Sequence, residues 1–143
     1  MRQLERAYVA LGSNVGDREA HLAHARGRLA TLPHTHLVAA SQVEETAPLG
    51  PMPQGPYLNQ MALLLTALSP AELLAHCLVI EGERDRVRGE RWGPRTLDLD
   101  IVRFGDRTIQ EPGLVIPHPE LPRRDFWLRE LAELDALVTS PHD

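Results

Sequence analysis

Asp98 and Asp100 are the residues of this chain whose type and spacing most directly permit chemistry. They lie in the stretch Arg91-Trp92-Gly93-Pro94-Arg95-Thr96-Leu97-Asp98-Leu99-Asp100-Ile101, whose second half alternates. Leu97, Leu99 and Ile101 fall on one face of a strand, and Thr96, Asp98 and Asp100 on the other. Carboxylates two residues apart are separated by roughly 6.6 Å along a strand. At an effective dielectric of about 20 they repel by about 2.5 kcal/mol, and by about a quarter of that when fully solvated. A partly buried pair therefore calls for a cation. Mg²⁺ fits, because it takes one or two carboxylates and completes its shell with water and phosphate oxygens.

The complementary charge stands just upstream. Arg84, Arg86, Arg88, Arg91 and Arg95 fall within twelve residues. Guanidinium groups stay charged and grip phosphate oxygens in bidentate fashion. Carboxylates for a metal beside arginines for phosphate are the equipment of phosphoryl-type transfer, which runs on positioning and charge stabilisation. The charge pattern alone is equally satisfied by a solvated edge strand that follows a charged helix end.

Composition narrows the classes. The 143 residues are 43 % hydrophobic and 24 % charged, which suits one globular domain spanning 1–143 with a core of its own. The net charge of −5 argues against a general binder of nucleic acid or membrane surfaces. All fifteen basic residues are arginine, so a Walker A loop and Schiff-base chemistry are excluded, since both need lysine. Cys77 is the only cysteine, which rules out an internal disulfide and a cysteine-based zinc cluster and suits core filling better than nucleophilic attack. With no signal-peptide pattern and no apolar run long enough to span a membrane, a reducing, cytoplasmic setting is expected.

The elements that must position the carboxylates follow from the pattern in chain order. Arg6 to Leu11 reads as a buried strand ended by a turn at Gly12–Asp17. Asp17 to about Leu32 reads as a helix with Leu22, Ala25 and Leu29 inward, stopped by Pro33. His36 to Thr46 reads as one strand with Leu37, Ala39, Ser41 and Val43 in alternation. Ala47 to Pro56, with four prolines and two glycines, is a long candidate binding loop. Tyr57 to Thr66 reads as a strand antiparallel to the preceding one. Ser69-Pro70-Ala71-Glu72 is a capping box with proline at the first helical position. The helix after it runs to about Arg86, with Leu73, Leu74, Cys77, Leu78 and Ile80 on its apolar face.

Thr96 to Phe104 is the Asp-bearing strand. Gly105-Asp106 is a turn into a short strand near Thr108–Ile109, which adds a small hairpin. Ile116-Pro117-His118-Pro119 reads as rigid and extended. A final helix from Arg124 or Asp125 carries Phe126, Leu128, Leu131 and Leu134 inward, and the tail from Thr139 reads as frayed. The order is βαββαβ with a hairpin and a C-terminal helix added. That is the order of an α+β ferredoxin-like sandwich, an antiparallel sheet with helices packed on one face and the other face free for ligands.

The stretch 91–101 also resembles the signature of the 6-hydroxymethyl-7,8-dihydropterin pyrophosphokinase family of folate biosynthesis. Four further stretches agree in order: Tyr8-Val-Ala-Leu-Gly-Ser-Asn14, Thr46-Ala-Pro-Leu-Gly-Pro51, Tyr57-Leu-Asn59, and Ile116-Pro-His-Pro119 with Arg124-Asp-Phe126. The resemblance implies transfer of pyrophosphate from ATP to the pterin hydroxymethyl, with release of AMP. It implies that Asp98 and Asp100 hold two Mg²⁺ ions, with either carboxylate open as proton acceptor. It places Arg86, Arg88 and Arg95 on ATP as catalytic arginines, Glu81 and Ile101 near the nucleotide, and His118 and Arg124 on phosphate.

The pterin pocket is implied to comprise Thr46, Ala47, Pro48, Leu49, Tyr57, Asn59, Trp92, Asp98 and Phe126, with Tyr57 and Phe126 sandwiching the flat ring. The implied partners are these two small molecules, without nucleic acid or membrane, and the implied state is a monomer. Leu78 stands where members of the family often carry a polar residue, and Gly113 where some members carry one more arginine. Two other readings remain open on the residues alone. One is a single-stranded nucleic-acid-binding module on the same sheet, and the other is a Mg-dependent transferase with a different acceptor.

Overall fold

The computed structural model describes residues 3–47, 55–84 and 96–138. Strand β1 (Glu5–Ser13) is followed by helix α1 (Arg18–Ala30), strands β2 (Thr35–Ala40), β3 (Glu44–Thr46) and β4 (Tyr57–Thr66), and helix α2 (Pro70–Arg84). Strands β5 (Asp98–Phe104), β6 (Ile109–Glu111) and β7 (Leu114–Ile116), a 3₁₀ turn (Leu121–Arg123) and helix α3 (Asp125–Val138) complete the order. The main sheet runs β2-β4-β1-β5, with β3 also on β4, and every pairing is antiparallel. β4 is thus inserted between β1 and β2, which is the split βαβ arrangement of the ferredoxin-like sandwich.

Local chemistry accounts for the helices. Asp17 caps α1 by accepting from the Ala20 N–H at 3.1 Å, and Leu22, Ala25 and Leu29 are buried at helical spacing. At α2 both halves of the capping box form. The Ser69 N–H donates to Glu72 Oε1 at 2.8 Å and the Glu72 N–H donates to Ser69 Oγ at 3.1 Å.

Strand alternation builds two cores. Ala7, Val9 and Leu11 of β1, Ala62 and Leu64 of β4, and Leu99 and Ile101 of β5 face α1 and α2. Tyr8, Ala10, Met61, Leu63 and Val102 face the other way and meet Trp127, Leu131 and Leu134 of α3. Polar ties hold α3 there. The Tyr8 hydroxyl donates to Asp135 at 2.6 Å, the Gln42 N–H donates to Glu133 at 3.0 Å, and Arg129 donates to Glu44 at 2.7 Å. The second sheet face is therefore not free, as expected above, but half covered by α3. The uncovered half holds the cavity described below.

Several expectations are corrected. β1 does not stop at Leu11. Gly12 and Ser13 stay buried and pair with Asn59 and Leu58, because β4 is long enough to continue the ladder. The single strand expected over His36–Thr46 is two. A bulge between Leu37 and Ala39 adds Val38 to the edge, so Leu37 packs on the helix side and Ala39 on the α3 side. The strand then breaks at Ser41. The Met61 N–H donates to Ser41 Oγ at 2.9 Å, and the Gln60 amide donates to the Ser41 carbonyl at 2.6 Å. Val43 is consequently exposed rather than inward.

Leu78 projects into solvent, 58 % exposed, because Leu73, Cys77 and Ile80 already supply the buried face of α2. On α3 the buried residue is Trp127 rather than Leu128, since Trp127, Leu131 and Leu134 share one helical face. The Asp-bearing strand begins at Asp98 rather than Thr96, although Leu97 is buried as expected. The turn at Gly105-Asp106 forms, but β6 after it pairs forward with β7 rather than back onto β5. Gly105 has φ +54°, and a Cβ there would stand 2.7 Å from a Glu5 carboxylate oxygen. The expected end of α2 at Arg86 and the tail from Thr139 lie outside the described residues.

Candidate active site

The uncovered half of the α3 face holds a cavity of about 190 Å³. Its walls come from four strands and one helix end: Ala10, Leu11 and Gly12 of β1, Thr46 with Ala47, Tyr57 and Asn59 of β4, Asp98 and Asp100 of β5, and Arg124, Phe126 and Trp127. The two carboxylates thus share one cavity, as their strand spacing requires. Across the ladder Asp98 pairs with Gly12 and Asp100 with Ala10, so the floor beside them is made of the smallest side chains. A Cβ on Gly12 would fill space now open, reaching 3.5 Å from Asn59 Oδ1 and 3.6 Å from the Tyr57 ring.

This arrangement fits Mg²⁺. The donors are hard carboxylate oxygens, and 39 % of the Asp100 side chain is exposed. Among the described residues no cluster of three or more metal-ligating side chains occurs. Two protein carboxylates completed by water and substrate oxygens are what Mg²⁺ takes, whereas a structural zinc site needs a full protein set.

His118 lies against Asp100, with Nε2 3.7 Å from Oδ1. Its Nδ1 accepts the Glu120 N–H at 3.1 Å, which assigns the proton of the neutral ring to Nε2, the side facing Asp100. The His118 N–H donates to the Val102 carbonyl at 3.0 Å and ties this segment to β5. The ring meets Trp127 edge-on, with centroids 4.9 Å apart at 86°. The Arg124 guanidinium lies 4.4 Å from the Trp127 ring centroid, and its buried Nε has no hydrogen-bond partner among the described residues. Trp127 thus carries a histidine and an arginine to the cavity rim.

On the opposite wall the Asn59 amide donates to Thr46 Oγ1 at 2.5 Å, which locks the amide's orientation. Tyr57 and Phe126, both half-buried, line the cavity from β4 and from the start of α3. Of the expected site residues, the cavity brings together Thr46, Ala47, Tyr57, Asn59, Asp98, Asp100, Arg124 and Phe126, with His118 alongside.

It does not include Glu81 or Ile101. Glu81 reaches from the end of α2 to the edge strand β5, where its carboxylate accepts the Leu99 N–H at 2.7 Å. The Ile101 side chain is buried on the helix side. Pro48, Leu49, Arg86, Arg88, Trp92 and Arg95 lie outside the described residues. Ala10, Leu11, Gly12 and Trp127 also line the cavity and are not among the residues expected from the sequence. The i, i+4, i+7 spacing of Trp127, Leu131 and Leu134 was the signal for the last. Cys77 is buried near Glu81 and Asp100. Burial first, then those two charges, push its thiol up to about 12, so it acts as core filler and not as a nucleophile.

Fold and site together define an α+β sandwich that carries paired carboxylates, an aromatic-walled cavity and a histidine–arginine rim on the open half of its sheet. The family model described as 7,8-dihydro-6-hydroxymethylpterin-pyrophosphokinase matches residues 8–136. The 2-amino-4-hydroxy-6-hydroxymethyldihydropteridine pyrophosphokinase of Pseudomonas aeruginosa is 44 % identical over 131 residues, covering 92 % of this chain and 81 % of that protein. The proteins of the same name from Haemophilus influenzae and Bacillus subtilis are 42 % and 43 % identical. They cover 95 % and 90 % of this chain and 85 % and 77 % of their own lengths. The chain belongs to the hydroxymethyldihydropterin pyrophosphokinase family.

Proposed function

We propose that this chain transfers the terminal pyrophosphate of ATP to the hydroxymethyl group of 6-hydroxymethyl-7,8-dihydropterin in folate biosynthesis. The observation that carries the reading is the meeting of Asp98 and Asp100 with Tyr57, Asn59 and Phe126 in one cavity. The substrate hydroxyl attacks the β-phosphorus. The bond from that phosphorus to the oxygen bridging it to the α-phosphorus breaks, AMP leaves with that oxygen, and the hydroxyl proton is released. No protein nucleophile is required.

Asp98 and Asp100 would hold two Mg²⁺ ions, which when bound supply charge neutralisation at the attacked phosphate and at the departing AMP. The protein's own part is placement. Tyr57 and Phe126 flank the flat ring, and Asn59, fixed by Thr46, offers donor and acceptor atoms to its edge. Arg124 offers its buried Nε–H to a phosphate oxygen, and His118 presents Nε2–H beside Asp100. Arg86, Arg88 and Arg95 are assigned to the triphosphate, Glu81 and Ile101 to the nucleotide end, and Pro48, Leu49 and Trp92 to closing over the pterin. Both substrates are small molecules, the proposed setting is the cytoplasm, and the proposed active form is a monomer.

Among the described residues no helix is long and apolar enough to cross a membrane. The test is chromatography of ATP incubated with the protein, Mg²⁺ and the pterin. AMP and a pterin diphosphate in equal amounts are expected. ADP with a pterin monophosphate would keep the site and refute the reaction.

A further inference from the structure

Thr46 and Tyr57 stand opposite each other at the mouth of the cavity, one at the end of the three-residue strand β3 and one at the start of β4. Three residues is the short end of the usual strand range, so side-chain ties add weight to the backbone pairing with β4. The ties come from both faces. On the α3 face Arg129 donates to Glu44 at 2.7 Å. On the other face Arg18, the first residue of α1, reaches both sides of the mouth at once. Its Nη1 donates to Glu45 Oε2 at 2.8 Å and to the Pro56 carbonyl at 2.9 Å. Glu45 immediately precedes Thr46, and Pro56 immediately precedes Tyr57.

One guanidinium thus fastens the two chain segments that supply one wall of the cavity, from the face opposite the cavity and without lining it. We infer that Arg18 is a positioning residue for the acceptor substrate: its clasp on Glu45 and Pro56 sets the Thr46–Tyr57–Asn59 wall and thereby the affinity for the pterin, not the phosphoryl chemistry. This rests on the reading of the cavity as the pterin pocket. Asp98 and Asp100, assigned to the metal ions, stand on β5, on the far side of β1 from β4, so the clasp is expected to act on the acceptor substrate rather than on ATP. The effect is bounded by what a half-exposed ion pair and one charge-assisted bond to a carbonyl contribute.

The test compares R18A, E45A, the double variant and N59A, with kcat and both KM values measured on the full chain. R18A is expected to raise the pterin KM by about threefold to tenfold, with kcat and the ATP KM within about twofold. E45A is expected to raise the pterin KM less, because the Pro56 bond remains, and to add little on top of R18A. N59A raises the pterin KM if the cavity is the pterin pocket. An unchanged pterin KM in R18A beside a raised one in N59A would overturn the clasp and leave the pocket standing. An unchanged KM in both would overturn the pocket reading and the clasp with it. A fall in kcat with both KM values rising together in R18A would show a general structural role and also overturn the inference.

Discussion

The two faces of one sheet are finished differently. The face under α1 and α2 is closed with leucine, isoleucine, valine and alanine together with Phe104 and Cys77, and its most buried side chains are fully withdrawn from water. The face under α3 is closed by α3 over one part, and among the described residues the other part is a cavity where carboxylates, an amide, a hydroxyl and an arginine converge. Alternation makes this division unavoidable, because each strand sends successive residues to opposite faces. Leu99 and Ile101 anchor β5 in the closed core and so aim Asp98 and Asp100 into the open one. On the proposed reading of the cavity, stability and chemistry are separable along a single strand, residue by residue.

Substitutions on the two faces should fail in different ways. The largest effect is expected at the open face. D98A or D100A should lower turnover by at least about 10²–10³-fold, since a charge-positioning group in the transition state is removed. The circular dichroism spectrum should be unchanged, and turnover within tenfold of wild type would break the division. On the closed face L64A should cost about 2–5 kcal/mol of stability through lost burial and a cavity. Denaturant unfolding measures that loss, and the activity of the folded fraction should stay normal.

A third test uses Glu130, a carboxyl 2 % exposed on α3. Burial first, then the neighbouring Glu44 carboxylate, push its pKa up to about 9, against a weaker opposing pull from Arg129. The folded state thus holds a proton that the unfolded chain releases. The stability linked to Glu130 is full below about pH 4.5 and is lost as pH rises toward 9. Unfolding free energies measured from pH 5 to 9 should fall more steeply for the wild type than for E130Q. The difference across that range should be a few kcal/mol, and parallel profiles would contradict it. The smallest effect is expected at the α2 cap, where S69A should cost about 1 kcal/mol and leave both KM values unchanged.

Much of this division was legible in the sequence. Strict alternation over 97–101 and along β4 survives because both faces of those strands are committed, one to each core. The capping box at Ser69 is a local arrangement and formed as written. What was not legible depends on tertiary geometry. The extra residue at Val38 carries no compositional mark, yet it moves Leu37 and Ala39 to opposite faces. The extension of β1 through Gly12 and Ser13 depends on how far β4 runs beside it. The choice of Trp127 over Leu128 depends on which part of the sheet is left for α3 to cover, and that same coverage creates the cavity. Arg86, Arg88, Trp92 and Arg95 lie outside the described residues, so their part in the site rests on the sequence alone.

The most direct test of the account follows the phosphorus itself. ATP labelled at the β-phosphate is incubated with the protein, Mg²⁺ and 6-hydroxymethyl-7,8-dihydropterin, and the label is traced after separation of nucleotide and pterin. Attack at the β-phosphorus predicts that all label lost from ATP appears on the pterin and that the nucleotide left behind is unlabelled AMP. Label retained on the nucleotide as ATP is consumed, or no transfer by folded protein that binds both substrates, would contradict it.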